Sequence, residues 1–433
     1  MTAPYTIERV VFASGERFPL LREGPLRVPS FDVTAFTLSE FRQVNAASAT
    51  LEQVVRSIKV FALFCDKETL DLDARMREGR FLEMGELDAL VEWCGRPLAD
   101  MEAIVEAEQE PRPSRKTNVH SLESRRARAK KSAKAVDRDT AALRLRHIAN
   151  FLGWKADRYL PNLSTNSPTR ASLVSAKDTV VAALRARVPH TSGRNSTQQR
   201  MALEEALQER LWEVIRPATP KNPNPDNPWK TYRMQVRNEL IIRWFLGLGL
   251  RRGELLGARV ADVDLRQNQV FIARRPDDDE DPRVDEPNTK TNDRLLVMAP
   301  KLAKATSYYI MEIRRTYVKA RTHPFLFVAS GGAPLSKSGL YAVFEELCDR
   351  HPELGSIFPH LLRHTWNFNF SVLIDEKGES PEYEKKMRSR LMGWNPTSKT
   401  GDIYNGRHTE RKARKASLQM QENMELPADV DED

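Results

Sequence analysis

Residues 111–136, PRPSRKTNVHSLESRRARAKKSAKAV, cannot enter an apolar core. They hold nine lysines and arginines against one glutamate. That local excess of eight equals the excess of the whole chain, 68 basic against 60 acidic residues, so the rest of the sequence is charge-balanced. Such a block splits the chain into regions that must each bury a core of their own. At 433 residues, two or three domains are expected in any case. The basic segment has two readings: a polyanion-binding segment, with nucleic acid the foremost partner, or a solvated, flexible linker.

Apolar residues make up 40% of the chain, enough for such cores. The longest apolar run, Leu240 to Leu250, is broken by Arg243 and is too short to span a bilayer. The opening MTAPYTIERVVFASGERFP has no basic stretch followed by an apolar block, so no secretory signal is expected. Cys65, Cys94 and Cys348 are widely scattered, which predicts neither a disulfide framework nor a CxxC metal knuckle. These features predict a soluble protein of the reducing cytoplasm with no membrane partner.

The organisation follows from periodicity. Residues 1–45 read as an N-terminal appendage, with RVVFASGERFPLL a hairpin turning at Ser-Gly. From Thr50 the spacing is helical: a Thr50-x-x-Gln53 capping box precedes an apolar stripe of Leu51, Val54, Val55, Ile58 and Ala62. MGELDALVEWCG predicts a helix from Met84 that stops at Gly95. Asp139 to Trp154 predicts another, with Asp139 as N-cap. Residues 46–160 therefore form a small helical domain, and 161–194, rich in Asn, Ser, Pro and Thr around one helix, form a linker. A larger domain covers 195–420. Its helices flank strands at NQVFIARRP and DRLLVMAP, with a short strand at HPFLFVAS and a solvated acidic loop from Asp277 to Asp281. The tail 421–433 is acidic and expected to be disordered. The fold class is mainly α with a small β-sheet (α+β).

Four cationic motifs stand out in the larger domain. Leu248 to Leu265 carries Arg251 and Arg252 where a helix breaks at glycine, with Glu254 three residues after Arg251 and able to hold its guanidinium. Taken alone, that pair is equally a surface i,i+3 contact. Lys290 sits in the turn between the two predicted strands. PHLLRHTWNF, Pro359 to Phe368, is an apolar helix with His360, Arg363 and His364 on one face. LMGWNPTSKTGDIYNGRHTE follows Gly393 with Trp394 and, ten residues on, Tyr404. His360 and His364 have the i,i+4 spacing of an HExxH zinc helix. The glutamate is missing, however, and Arg363 adds positive charge, so no metal and no cofactor is expected.

Taken in order, Gly249-Leu250-Arg251…Glu254, Lys290-Thr291, His360…Arg363-His364-Thr365, Leu391-Met392-Gly393-Trp394 and Tyr404 resemble the tyrosine recombinases, or phage-type integrases. The resemblance covers roughly 195–415 and extends more weakly to 46–160, where the family has a helical core-binding domain. It implies two domains closing around duplex DNA as a clamp. It also implies that Arg251 and Arg363 grip the scissile phosphate, Lys290 protonates the leaving 5′-oxygen, His360 assists proton transfer and Tyr404 is the nucleophile, with Glu254 and His364 in support. Trp394 stands where many members have histidine; it can donate an N–H and pack, but cannot act as acid or base. The interval from Trp394 to Tyr404 is one residue longer than the family's usual spacing. The resemblance further implies a tetramer on DNA, exchange of a C-terminal segment (residues 406–424) between neighbours, and an accessory DNA-bending or directionality protein.

The chemistry fits these residue types. Two planar guanidiniums match phosphate oxygens bidentately. With a lysine and a histidine beside them, a divalent ion becomes unnecessary. Tyrosine is a weak nucleophile at its usual pKa of ~10 and needs a cationic pocket. The phosphotyrosine link stores the broken bond, so rejoining needs no ATP. The expected function is a DNA recombinase of a phage or mobile element working through a 3′-phosphotyrosine. Its DNA affinity would be strengthened by Arg112, Arg115, Lys116, Arg125, Arg126, Arg128, Lys130, Lys131 and Lys134. The alternatives are a type IB-like topoisomerase or hairpin-forming resolvase, a catalytically silent DNA-binding protein of the same fold, and a metallonuclease.

Overall fold

The computed structural model describes residues 4–109, 135–190, 202–287, 289, 291–394 and 420. The chain divides into two compact units, Met1–Thr197 and Gln198–Asp433. Each has its own apolar core.

In the first unit the hairpin predicted at Ser-Gly is present. Strands β1 (Tyr5–Val11) and β2 (Arg17–Glu23) pair antiparallel from Tyr5 opposite Glu23 to Val11 opposite Arg17. A short β3 (Val28–Pro29) adds to β2. Helices α1 (Phe31–Thr37), α2 (Ser48–Lys67), α3 (Leu72–Arg77), α4 (Met84–Cys94) and α5 (Leu98–Gln109) follow. α6 (Arg138–Tyr159) and α7 (Pro168–Ala186) complete the unit. Helix α2 is central, and it is buried beyond the expected stripe. Val60, Phe61, Leu63 and Phe64 are covered as well as Leu51, Val54, Val55 and Ile58, while Ala62 is only half-buried. The reason is that β2 and α6 both pack on it. Each such fully buried Leu or Phe contributes about 1.5–3 kcal/mol.

Two helix starts differ from expectation. α2 begins at Ser48 after an extended Ala47, so Thr50 already lies inside the first turn and no side chain caps the helix. α6 begins earlier because Asp137, not Asp139, accepts the Thr140 backbone N–H at 2.6 Å. α4 ends at Gly95, as its sequence implied. Helix α7, within the Asn/Ser/Pro-rich stretch, buries Leu173, Val180 and Leu184 in the same core.

The second unit is built round α9 (Tyr232–Leu248), preceded by α8 (Glu205–Ile215). α9 buries Leu240, Ile241, Ile242, Trp244 and Phe245. Its Trp244 donates to the Thr306 hydroxyl at 3.1 Å. After the short α10 (Arg252–Gly257) comes an antiparallel sheet of β4 (Val263–Asp264), β5 (Gln269–Ile272) and β6 (Arg294–Val297), in that order. Helices α11 (Pro300–Tyr308), α12 (Lys337–Arg350), α13 (Pro359–Glu376) and α14 (Pro381–Met392) follow. The fold is thus helical with small antiparallel sheets, as the periodicity implied.

Two expectations in this unit fail. HPFLFVAS is not a strand. Phe325, Leu326, Phe327 and Val328 are buried in succession, and the segment makes only isolated bridges, Arg259 with Phe325 and Val328 with Pro334. Burial on both sides explains an apolar run without alternation. The acidic loop is also not simply solvated. Arg259 grips both Asp278 oxygens at 2.7 and 2.8 Å and pairs with Glu280; Arg275 pairs with Asp262 at 2.5 and 3.0 Å. Arg283 holds Asp281 and donates to the carbonyls of Leu256 and Leu335, at 3.1 and 2.8 Å. The loop is pinned to the end of α10.

Candidate active site

Three sequence-distant motifs meet on one buried carboxylate. Helix α9 ends at Gly249 with φ of 62°. Leu250 and Arg251 then lead into α10, where the Arg251 backbone N–H donates to Glu254 Oε2 at 2.8 Å. Glu254 is 2% exposed. Arg294 of β6 grips it with two parallel bonds, Nη1 to Oε1 at 3.0 Å and Nη2 to Oε2 at 2.8 Å. The Thr291 hydroxyl donates to Oε1 as well. The guanidiniums of Arg251 and Arg363 stand at 3.6 and 3.8 Å from the same carboxylate. Arg251 therefore meets Glu254 mainly through its backbone, and the chief side-chain partner of Glu254 is Arg294.

Arg363 comes from α13, whose sequence starts helix readily with Pro359 at the first position. It is 1% exposed, donates to the Gly249 carbonyl, and its Cζ lies 5.8 Å from the centre of the Trp394 ring. The Arg363 carbonyl accepts from Asn367 Nδ2 at 2.8 Å. On the same helix the rings of His360 and His364 touch edge to face at 4.2 Å; His360 is exposed and His364 buried. Arg252 turns elsewhere, onto the ring and hydroxyl of Tyr341.

Trp394 follows α14, which ends at Gly393 with φ of 64°. The Gly393 carbonyl accepts from Asn292 N–H at 3.0 Å, and the Leu391 carbonyl accepts from Arg294 Nε at 2.7 Å. Both glycines are required by space as well as by φ. A Cβ on Gly249 would lie 2.7 Å from Met392 Cε and 2.8 Å from Trp366 Cδ2. One on Gly393 would lie 2.8 Å from the Asn292 carbonyl oxygen.

The electrostatics are lopsided by design of the packing. Burial pushes the Glu254 carboxyl up, but the Arg294 bonds and charge, the Arg363 charge and the Thr291 hydroxyl more than reverse it, leaving a pKa of about 2. Glu254 is thus an anion at neutral pH. Three guanidiniums against one carboxylate leave a formal +2 (3 − 1) around it. Arg294 and Arg363 are buried while the Arg251 side chain is 31% exposed, and charges in such a partly dry setting act on one another more strongly than in water.

Of the candidate residues, Arg251, Glu254, Arg363 and Trp394 are gathered here, with His360 and His364 on the same helix as Arg363. Lys290, Tyr404 and the basic residues Arg112, Arg115, Lys116, Arg125, Arg126, Arg128, Lys130, Lys131 and Lys134 lie outside the described residues. So do the C-terminal segment 406–419 and the tail 421–433. Sequence reasoning overlooked Arg294. Its signal was the alternation of DRLLVM, which points Arg294, Leu296 and Met298 inward and Leu295 and Val297 outward. An inward arginine needs buried hydrogen-bond acceptors, of which a carboxylate is the strongest.

Comparison with known proteins accords with this arrangement. Residues 227–409 match the model of the phage integrase family. The tyrosine recombinase XerD of Halalkalibacterium halodurans is 22% identical over 131 residues, 30% of this chain and 39% of that protein. XerC of Staphylococcus haemolyticus is 23% identical over 137 residues, 32% of this chain and 41% of the relative. The chain thus spans about two fifths of the length of the curated relatives it matches. Among solved structures, XerA recombinase is similar at a TM-score of 0.33 and 18% identity, covering 65% of this chain and 90% of that one. XerH bound to difH substrate gives 0.37 and 16%, covering 77% and 85%. The family match over 227–409, a stretch that holds all the motifs above, makes that part of the chain a phage integrase domain.

Proposed function

We propose that this protein cuts and rejoins DNA through a 3′-phosphotyrosine intermediate, as a recombinase of a phage or mobile element. The observation that carries the reading is the convergence of Arg251 and Arg363, from two separate motifs, on one buried and ionised Glu254, with Trp394 of a third motif against Arg363. The net cationic charge of that cluster suits a phosphodiester anion, and suits better the dianion formed on attack. Charge that develops only in the transition state is where stabilisation raises the rate.

In the proposed step the Tyr404 oxygen attacks phosphorus and the bond to the 5′-oxygen breaks. Lys290 supplies the proton to that leaving oxygen. Arg251 and Arg363 hold the non-bridging oxygens, His360 assists the transfer of the tyrosine proton, and Trp394 packs the site and offers an N–H. One phosphoester replaces another, so the step is reversible without ATP, and no metal takes part. Rejoining is the same step run backwards by a 5′-hydroxyl. Lys and Arg in 112–134 would add sequence-independent, salt-sensitive affinity for the duplex. Assembly as a tetramer on two sites, action in the cytoplasm and help from an accessory DNA-bending protein belong to the same reading.

The test is a covalent adduct. The full chain is mixed in EDTA with nicked duplexes tiled across the ends of its own element, denatured, and mapped by mass spectrometry. An adduct on Tyr404 that vanishes in Tyr404→Phe, with DNA affinity kept, is the expected result. Tight binding without adduct on any tile would overturn the reading in favour of a catalytically silent DNA-binding protein.

A further inference from the structure

Arg294 ties three segments of the cluster together through hydrogen bonds of its guanidinium. Nη1 and Nη2 hold Glu254 of the α10 segment, Nε holds the Leu391 carbonyl at the end of α14, and its own backbone is in β6. It is buried, as is Glu254. A buried ion pair is a poor source of stability, because desolvation offsets most of the attraction; its better-attested role is to select one arrangement. Here the arrangement selected concerns the other two arginines. Because Arg294 occupies both Glu254 oxygens bidentately, Arg251 and Arg363 stay at 3.6 and 3.8 Å, ion-pair rather than hydrogen-bond separation. The Leu391 bond also sets the end of α14 and so the height of Trp394, whose ring covers Arg363.

Resting on the strand-cleavage reading, we propose that Arg294 is a positioning residue: it saturates Glu254 so that this carboxylate does not draw in the Arg251 and Arg363 forks, and it registers Trp394 over Arg363. Without Arg294, the buried carboxylate keeps the Arg251 backbone N–H and the Thr291 hydroxyl, and takes the two guanidiniums as further hydrogen-bond partners in place of a phosphate. The neutral Glu254→Gln has much less pull. Removing both charges together should therefore be milder than removing Arg294 alone.

The experiment compares the single-turnover rate of adduct formation with the equilibrium affinity for the same nicked duplex. Arg294→Met is expected to slow the adduct about 100-fold, the scale of a misplaced catalytic group, with affinity changed less than about threefold. The double variant Glu254→Gln/Arg294→Met should recover at least about tenfold of that loss. Should Arg294→Met fail to fold, Arg294→Lys replaces it: one point charge cannot fill a bidentate site, so a loss of about tenfold in rate at unchanged affinity is expected. Variants that react as fast as the parent overturn the proposal. So does a double variant no faster than Arg294→Met, or an equal loss of rate and affinity. A parent chain that forms no adduct overturns the strand-cleavage reading and this inference with it, an outcome distinct from all of these.

Discussion

Two of the arginine–acid clusters in the second unit are built to opposite balances. Around Glu254, three guanidiniums share one carboxylate, for a formal +2. Where the loop after β5 returns to the segment before β4, Arg259, Arg275 and Arg283 face Asp262, Asp278, Glu280 and Asp281, for a formal −1 (3 − 4). Each of these arginines has an acid of its own, and Glu280 is 58% exposed at its side chain. That cluster is complete as it stands: it fastens a segment to the end of α10. Around Glu254 the guanidiniums outnumber the carboxylate, the balance that suits the phosphate of the proposed function. Counting charges against burial thus tells the two apart, where a count of salt bridges would rank the loop higher.

The contrast can be broken by mutation. The largest stability effect is expected at Glu254→Gln. It strands Arg294 as a buried charge, and breaking such a pair costs about 3–5 kcal/mol, read from the urea midpoint. The same carboxylate sets an acid limb. Its folded pKa of about 2 lies below the ordinary value of 4.5. The stabilisation is therefore fully present above pH 4.5 and lost as pH falls from there towards 2. The drop amounts to roughly 3 kcal/mol. A stability profile over that range should lose this component in Glu254→Gln; an unchanged profile would mean that Glu254 is not the group responsible. The smallest effect is expected at Arg259→Ala. Its partners are partly exposed, so the loss should be about 1 kcal/mol, with adduct formation within about threefold of the parent. A larger fall in rate would show that the loop does more than fasten.

Features that depend on near neighbours were legible in the sequence. The stop at Gly95, the hairpin through Gly15 and the helix carrying His360, Arg363 and His364 all follow from residues within a few positions. So did the four cationic motifs in their order. Features that depend on distant partners were not. Asp137 and Asp139 are both good caps, and only the fold selects Asp137. Phe325 to Val328 reads as a strand because sequence cannot tell a run buried on both sides from a sheet member. The loop acids read as solvated because Arg259 and Arg283 were not seen to return to them. Arg294 was missed for the same reason: its acid lies 40 residues away, on another element.

The central claim is that the +2 cluster exists to meet the charge of a phosphate. The most direct measurement is adduct formation by Arg363→Ala on two nicked duplexes, one with an ordinary phosphodiester at the cleaved position and one with an uncharged methylphosphonate. On the phosphodiester the variant should fall about 100- to 1000-fold below the parent, the typical cost of one lost transition-state donor. On the methylphosphonate, where there is less charge to stabilise, most of that deficit should disappear. An equal deficit on both substrates would contradict the account, because Arg363 would then matter for some reason other than the charge of the phosphate.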